Sequence, residues 1–242
     1  MDLGLDGRVA LVTASSKGLG RGAAEALAAE GASVVICARG GEALEATRAG
    51  IEAAGGAVLA IEADVTEQGA PDALVAATLE RFGRIDIVVG NSGGPPPRRA
   101  LEVTDEELRA ALEANLLTHV RLTRAALPHL RAQGWGRLCF IASYSIVQPL
   151  PHLALSNAAR TGLWAWAKTA AKDLVGSGVT LNLACPGPHG TDRMKEVGGA
   201  PPAGGFGDPG DFGRVVAFLC STAAAFVNGA AVLVDGGETL AL

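Results

Sequence analysis

The apolar residues of this chain fall into short, nearly unbroken runs separated by longer stretches in which apolar and polar positions mix. A short apolar run without polar alternation is typical of a strand that is buried on both faces, as in a parallel sheet. We predict seven such strands, at residues 9–12, 32–38, 58–62, 85–89, 138–141, 179–184 and 230–234.

The stretches between these runs have helical spacing and helix-start signals. In the segment 42–54, for example, Leu44 and Ile51 mark one face of an amphipathic helix. Thr104 and Glu107 form a capping-box pattern, which predicts a helix that continues through Asn115 to about residue 131. Further helices are predicted at residues 21–30, 42–54, 72–82, 153–175 and 211–222.

Strands and helices that alternate in this way indicate a parallel sheet with right-handed crossovers. A length of 242 residues and a hydrophobic content of 49% suit one α/β domain with a large core. We therefore predict a single Rossmann-type, doubly wound domain over residues 1–242, with a seven-stranded, mainly parallel sheet and helices on both faces.

Charge and cysteine usage narrow the class of protein. The net charge is −5 without a long run of either sign, which argues against a nucleic-acid partner. No signal-like start or membrane-length apolar run is present, so we expect a cytoplasmic protein without a membrane partner. The four cysteines are far apart and lack metal-ligand spacing, so we expect them to be reduced, buried and structural, with no metal site.

The first predicted strand leads into a glycine-bearing turn at residues 13–20 and then into an Ala-rich helix. This context favours dinucleotide binding, because glycines allow close approach of a pyrophosphate and the helix N-terminus offers free N–H groups. The candidate cofactor contacts in this turn are Thr13, Ser15, Ser16, Lys17, Gly18, Leu19 and Gly20.

The second strand ends at Arg39, where a dinucleotide-binding fold that prefers NAD places an acidic residue for the ribose 2′-hydroxyl. We expect Lys17 to face the same region. Two cations there fit a 2′-phosphate and favour NADP(H) over NAD(H). The alternative is that both are ordinary solvated surface charges.

The segment from Phe140 to Arg160 resembles the catalytic segment of the short-chain dehydrogenase/reductase family, and the chain is similar to the 3-oxoacyl-[acyl-carrier-protein] reductase branch of that family. Members of that family carry a serine, a tyrosine thirteen residues later and a lysine four residues after the tyrosine. Ser143 matches the serine, but Ser156 and Arg160 occupy the tyrosine and lysine positions.

Other motifs extend the resemblance from about residue 5 to residue 237. The glycine turn is similar to the family's Thr-Gly-x-x-x-Gly-x-Gly, with Ala14 in place of the first glycine, which we expect to be tolerated at negative φ. The resemblance adds four groups of residues: Asp64 and Val65 at the adenine, Asn91 and Gly93 in a structural turn, Pro186, Gly187 and Thr191 near the nicotinamide and phosphates, and Arg160 at the ribose.

In the family, tyrosine protonates the carbonyl oxygen while the lysine lowers the tyrosine pKa. Ser156 is shorter and far less acidic, so it cannot take that role alone, whereas Arg160 keeps a positive charge. Asn115, matched to a helix residue that opens the backbone and holds a water in the proton relay, completes the candidate catalytic set. His119 and His129 are expected at the surface or helix flank.

Three residues are alternative proton donors: Tyr144, His152 and His189. Tyr144 follows Ser143 directly and would point away from it along a strand, unless the loop turns. The two histidines lie in loops and titrate in a useful range, although both also suit ordinary loop positions.

Three functions remain open at this point. The chain reduces a small carbonyl or acyl substrate with NADP(H), or it binds the nucleotide without turnover as a sensor, or it serves as an interaction subunit. The resemblance implies a homotetramer or homodimer assembled through the helices that carry Asn115 and Trp164. The Gly/Pro-rich segment 187–210 suits either a lid or a disordered loop.

Overall fold

The computed structural model describes residues 2–196 and 201–241. Its seven strands form one sheet in which every neighbouring pair is parallel, in the order β3-β2-β1-β4-β5-β6-β7. The strands are β1 Val9–Val12, β2 Ser33–Ala38, β3 Val58–Glu62, β4 Ile87–Gly90, β5 Gly136–Ile141, β6 Val179–Pro186 and β7 Ala231–Val234. The order reverses between β1 and β4, which is where doubly wound folds bind their ligands.

Helices cover both faces of this sheet. They are α1 Gly18–Ala29, α2 Gly41–Ala53, α3 Ala70–Phe82, α4 Asp105–Leu112, α5 Thr118–Ala132, α6 Ala154–Asp173, α7 Asp192–Glu196 and α8 Pro209–Leu219. The predicted fold class is confirmed. The predicted strand and helix ends differ from those of the structure by at most three residues. The exception is the long helix predicted from Thr104, which the structure divides into α4 and α5.

Successive residues of β1 supply two separate cores. Val12 packs with Leu27 and Phe212 on the face covered by α1, α2 and α8. Leu11 packs with Phe140 on the face covered by α3, α5 and α6. Strand residues alternate between faces, so a strand buried on both sides must be apolar throughout, and this explains the unbroken runs in the sequence.

The long helix predicted from Thr104 is divided by a π-helical turn at Glu113–Leu117, which joins α4 to α5. Thr104 caps α4 as predicted: its hydroxyl accepts a 3.2 Å hydrogen bond from the Glu107 amide, and the Glu107 carboxylate accepts one of 3.1 Å from the Thr104 amide. The wide turn carries Asn115, so the expected opening of the backbone at that residue is confirmed. Such turns frequently mark functional positions in helices.

Helices α1 and α8 approach so closely that their contact requires glycine. A Cβ at Gly22 would lie 2.2 Å from the Pro209 carbonyl oxygen, and one at Gly213 would lie 2.1 Å from the Gly22 carbonyl oxygen. This packing fixes the end of the segment 187–210 beside the glycine turn. In the ranges 2–196 and 201–241, no helix combines the length and the apolar character that a membrane span needs.

Candidate active site and nucleotide cavity

A cavity of about 520 Å³ opens at the carboxyl ends of β1 to β4. The glycine turn supplies Ser16 and Lys17, the end of β2 supplies Arg39, and the segment after β3 supplies Asp64. Asn115 of the π-helical turn lies at the far side of the same cavity. The topology therefore brings residues distant in sequence to the edge of a parallel sheet at which α/β proteins bind nucleotides.

The glycine turn departs from our expectation at Ala14. We expected negative φ there, but φ is +47°, and Ala14 is the one non-glycine residue with positive φ among those described. The strained turn directs the Ala14 carbonyl to the Asn91 side-chain amide, which donates a 3.1 Å hydrogen bond to it. That tie between the ends of β1 and β4 offsets a left-handed conformation that costs an L-residue about 1–2 kcal/mol.

Two glycines of the turn have physical reasons to be glycine. Gly18 has φ +54°, and a Cβ on it would lie 3.2 Å from the Thr191 methyl group. A Cβ on Gly20 would lie 2.4 Å from the Ala14 carbonyl oxygen. The turn therefore leaves its backbone and the first turn of α1 open toward the cavity, an arrangement that fits a pyrophosphate.

Thr13 and Ser15, predicted as cofactor contacts, are buried and bonded within the protein. The Thr13 hydroxyl donates to the Asn91 carbonyl at 2.7 Å and accepts from the Asn91 amide at 2.8 Å. The Ser15 hydroxyl donates to the Val12 carbonyl at 2.8 Å and accepts from the Cys37 amide at 3.1 Å. These side chains hold β1 to β4 and β2, and the structural role expected for Asn91 is confirmed.

Charge near the end of β2 in this cavity comes from three exposed or partly exposed side chains. Lys17 and Arg39 are exposed, and the Lys17 ammonium lies 4.0 Å from the Asp192 carboxylate. Burial opposes ionisation of Asp64, but hydrogen bonds from Thr66 and the charge of Arg39 prevail and lower its pKa. Asp64 is therefore a carboxylate at neutral pH, and Val65 lines the cavity beside it.

Ser143 lies at the end of β5 and caps the short 3₁₀ turn Tyr144–Ile146. Its hydroxyl oxygen accepts a 3.1 Å hydrogen bond from the Ser145 amide, so its own proton is free to be donated. On the facing helix the Asn115 side chain is fully buried, and its amide oxygen accepts a 3.3 Å hydrogen bond from Ser92. Our sequence reasoning did not assign Ser92 a role, although it directly follows Asn91 in the motif.

Ser156 and Arg160 lie one helical turn apart on α6 and are both buried. The Arg160 guanidinium donates through Nη1 to the carbonyls of Ile141, at 2.7 Å, and Ala142, at 3.1 Å. Burial is the main reason that its pKa falls to about 10, so it stays cationic at neutral pH. Arg160 thus holds the end of β5, and a ribose contact by its other N–H groups stays a prediction.

Tyr144, predicted as an alternative proton donor, is poorly suited to that role. The chain turns into the 3₁₀ helix directly at this residue, rather than continuing as a strand. Burial raises the pKa of Tyr144, and the carboxylates of Glu238 and Asp235 raise it further. Its acidity is therefore moved away from the range a proton donor needs.

The two loop histidines lie in different surroundings. His152 is exposed, and its carbonyl accepts from the Arg98 amide at 2.8 Å. His189 is buried, with Nδ1 3.0 Å from the Gly187 carbonyl oxygen and its ring 5.2 Å from that of Phe212. Its other side faces Gly207, where an added Cβ would lie 2.9 Å from Nε2. The His189 ring is thus enclosed by protein atoms.

The expectation that His119 lies at the surface is wrong, whereas His129 is exposed as expected. His119 is fully buried, and its ring packs edge-on against Phe140 with the centroids 5.0 Å apart. Gly90 makes the room, because a Cβ there would lie 2.7 Å from the imidazole. The missed signal was spacing: His119 follows the buried Asn115 by four residues, so both share one helix face.

The segment predicted as a lid or loop contains α7, which contacts two residues of the cavity lining. Its strand-side end is held by the Gly187 amide, which donates to the Val234 carbonyl at 3.0 Å. Arg193 of α7 donates to the Pro95 carbonyl, and the neighbouring Asp192 carboxylate lies 4.0 Å from the Lys17 ammonium; Pro95 and Lys17 both line the cavity. Residues 197–200 of this segment lie outside the described ranges, so a lid stays a prediction.

All four cysteines are buried, as predicted. Burial raises the pKa of Cys37 to about 11 and that of Cys185 to about 12, so neither is a nucleophile at neutral pH. Within the described ranges, no group of three or more His, Cys, Asp or Glu side chains is placed to hold a metal ion.

Comparison with known proteins agrees with this geometry. A family model described as enoyl-(acyl carrier protein) reductase matches residues 13–239. A 3-oxoacyl-[acyl-carrier-protein] reductase of Synechocystis sp. is 35% identical over 243 residues, and the alignment covers 98% of this chain and 98% of the relative. A 3-oxoacyl-[acyl-carrier-protein] reductase of Vibrio cholerae is 32% identical, with 97% of this chain and 98% of the relative covered.

Solved structures show the same fold with nicotinamide cofactors. L-sorbose reductase from Gluconobacter frateurii, complexed with NADPH and L-sorbose, has a TM-score of 0.92 and 31% identity, with both chains fully covered. A 7α-hydroxysteroid dehydrogenase complexed with NADH has a TM-score of 0.92 and 28% identity, covering 98% of this chain and 96% of that one. The chain belongs to the short-chain dehydrogenase/reductase family of NAD(P)-dependent oxidoreductases.

Proposed function

We propose that this protein is an NADP(H)-dependent oxidoreductase that reduces the carbonyl of a 3-oxoacyl-type substrate, with Ser156 and Arg160 at the usual tyrosine and lysine positions. The observation that carries the cofactor choice is the cavity rim, where exposed Lys17 and Arg39 lie near the end of β2. The substrate class rests on relatives described as 3-oxoacyl-[acyl-carrier-protein] reductases.

When bound, the cofactor supplies or accepts a hydride at its nicotinamide ring. Lys17 and Arg39 bind a 2′-phosphate at the rim, and Asp64 offers a carboxylate to the adenine amino group. The open backbone of the glycine turn and the first N–H groups of α1 receive the pyrophosphate. These contacts need none of the residues that differ from the family at the catalytic positions, so binding is retained.

At the catalytic end, the Ser143 hydroxyl accepts from the Ser145 amide, and its own proton donates to the substrate carbonyl oxygen, which can only accept. Ser156 does not supply an acidic phenol, so water is the proton donor and Ser156 orients it. Loss of a positioned general acid costs about 10²–10⁴ in rate, which predicts slow turnover.

One observation favours a second function, nucleotide binding without turnover. Both N–H groups of Arg160 Nη1 donate to the carbonyls of Ile141, the last residue of β5, and Ala142, which follows it, so the charge at this position stabilises the strand end. A protein of this kind senses the ratio of reduced to oxidised nucleotide. The two functions share the cofactor cavity and differ in the rate of the chemical step.

The first experiment is a fluorescence titration of the protein with NADPH and with NADH. We expect the protein to bind NADPH more tightly than NADH. The substitution Arg39→Asp should weaken NADPH binding by roughly 10-fold or more, because a charge-assisted contact contributes about 1.5–3 kcal/mol. NADH binding should change little. Arg124→Ala, an exposed arginine on α5, is the matched control. Equal loss for both nucleotides would refute the 2′-phosphate assignment.

The second experiment asks whether the missing phenol limits turnover of a 3-oxoacyl thioester. The double variant Ser156→Tyr with Arg160→Lys should raise kcat by about 10²–10⁴. Ser156→Phe with Arg160→Lys adds the ring without the hydroxyl and should not. If the tyrosine variant binds NADPH but stays inactive, the non-catalytic function is favoured.

A further inference from the structure

We propose a second ligand site, for an organic anion with an apolar body, at the end of the sheet formed by the amino ends of its strands. This end is opposite the one that carries the nucleotide cavity. A cavity of about 760 Å³ lies there, beside the amino ends of β5 and β6. Its walls come from the last turns of α6 and from the loop that connects α8 to β7. Because every strand runs in the same direction, this cavity and the nucleotide cavity lie at opposite ends of the sheet.

The cavity is positively charged. Three of its lining residues are cationic, namely Arg137, Lys168 and Lys172, and none of its described lining residues is acidic. The two lysines are exposed, and neither belongs to an ion pair among the described residues. Lysines that carry no structural ion pair keep their charge available for an anionic ligand.

Arg137 is the fixed element of this site. It is 3% exposed, and it has no carboxylate partner in the described part of the chain. Its Nε donates to the Ser221 carbonyl at 3.0 Å, and its Nη1 donates to those of Gly136 and Gly178 at 2.8 and 3.2 Å. A guanidinium has five N–H donors, so the two on Nη2 remain for a ligand.

A neutral polar group adjoins that guanidinium. Thr180 pairs with Arg137 across β5 and β6, lines the same cavity and is 6% exposed. Its hydroxyl is buried without a hydrogen-bond partner. Buried hydroxyls are rarely left unpaired, because an unmade hydrogen bond costs about 1–3 kcal/mol. A carboxylate held by Arg137 Nη2 would supply the acceptor that Thr180 lacks.

Apart from Thr222 and Asn228, the rest of the lining is apolar or glycine, and it includes apolar side chains that are unusually exposed. Phe226 and Val175 are 103% and 77% exposed, respectively. Trp135 supports the arginine, since the Arg137 guanidinium carbon lies 4.3 Å from its ring centroid. An anionic head bound by cations beside an apolar wall fits a medium-chain alkyl carboxylate better than a small inorganic anion, which would use none of this apolar surface.

The test is calorimetric titration of the full-length protein with decanoate, below the concentration at which decanoate forms micelles. We expect saturable binding with one site per chain, and at least tenfold weaker binding of both decanol and acetate. Decanol lacks the charge and acetate lacks the apolar body. Binding should persist at saturating NADPH. Competition with NADPH would place decanoate in the nucleotide cavity and overturn the proposal.

Exposed residues provide variants that should not disturb folding. The double variant Lys168→Glu with Lys172→Glu should weaken decanoate binding at least tenfold, and Phe226→Ala should weaken that binding severalfold. Arg124→Glu and Leu101→Ala, at exposed positions that do not line this cavity, are the matched controls. Thr180→Val removes only the unpaired hydroxyl and should also weaken binding. Absence of saturable binding, or equal effects in controls and cavity variants, would overturn the proposal.

Discussion

Acid should destabilise this protein through His119 at a pH where most carboxylates are still ionised. Burial, and secondarily the charge of Arg160, lowers the pKa of His119 to about 3. The Gly90 carbonyl acts in the opposite direction, although neither ring nitrogen makes a hydrogen bond. The native state therefore holds the imidazole neutral, in contact with Phe140.

The sign and size of the effect follow from proton linkage. In the unfolded chain the imidazole binds a proton below about pH 6.5, whereas the native chain binds it only near pH 3, so stability is lost as the pH falls between these values. pH 5 lies about 1.5 units below the pKa of the imidazole in the unfolded chain, and each unit corresponds to about 1.4 kcal/mol. The free energy of unfolding at pH 5 is therefore lower by about 2 kcal/mol than it would be without this histidine.

The assay is urea unfolding at pH 8 and pH 5, followed by circular dichroism. Because carboxylates also contribute, the quantity of interest is the pH-dependent change in the wild-type protein minus that in His119→Leu. We expect about 2 kcal/mol. His129→Gln, at an exposed position on the same helix, should retain the wild-type pH dependence. A wild-type minus His119→Leu difference below about 0.5 kcal/mol would refute the assignment of a neutral buried imidazole.

Three further predictions concern the free energy of unfolding, measured by urea titration at pH 8. Thr104→Ala removes the capping hydrogen bond of α4 and should cost about 1 kcal/mol; no loss would mean that the cap is not formed. Ala14→Gly relieves the positive φ and should stabilise by about 0.5–1 kcal/mol, whereas destabilisation would contradict the strained turn. Gly213→Ala places a methyl group 2.1 Å from the Gly22 carbonyl oxygen and should cost about 3 kcal/mol. Its control, Gly50→Ala, meets no atom within 4 Å and should stabilise α2 by about 1 kcal/mol; equal effects would refute the close helix contact.

Under the proposed function, the substitutions at positions 156 and 160 affect the chemical step rather than cofactor binding. The proposed cofactor contacts depend on backbone geometry, which the glycine turn and its ties to Asn91 maintain. The proposed proton transfer depends on particular side-chain chemistry, which Ser156 and Arg160 would not supply. The proposal therefore combines a retained nucleotide site with a slow chemical step.

Sequence patterns alone were sufficient for the seven strands, for most of the helices and for the doubly wound fold class. Strands buried on both faces leave unbroken apolar runs, and helices leave their own spacing and capping signals, because these features depend on neighbours within a few residues. The glycine turn and the arginine at the end of β2 were visible in the same way, whereas Ser156 stood out only through the resemblance to the family's catalytic segment. Each is a statement about residue type at a defined place in a strand–helix repeat.

Only the tertiary structure decided how four residues are used. The positive φ of Ala14 is accompanied by a tie to Asn91 that offsets its cost, and the burial of His119 depends on the space left by Gly90. Arg160 donates to the end of a strand that it meets only after folding. The cavity beside Arg137 is formed by elements that are far apart in the chain. Such contacts have no local signature, because the partners of each side chain are brought together only when the sheet and its helices pack.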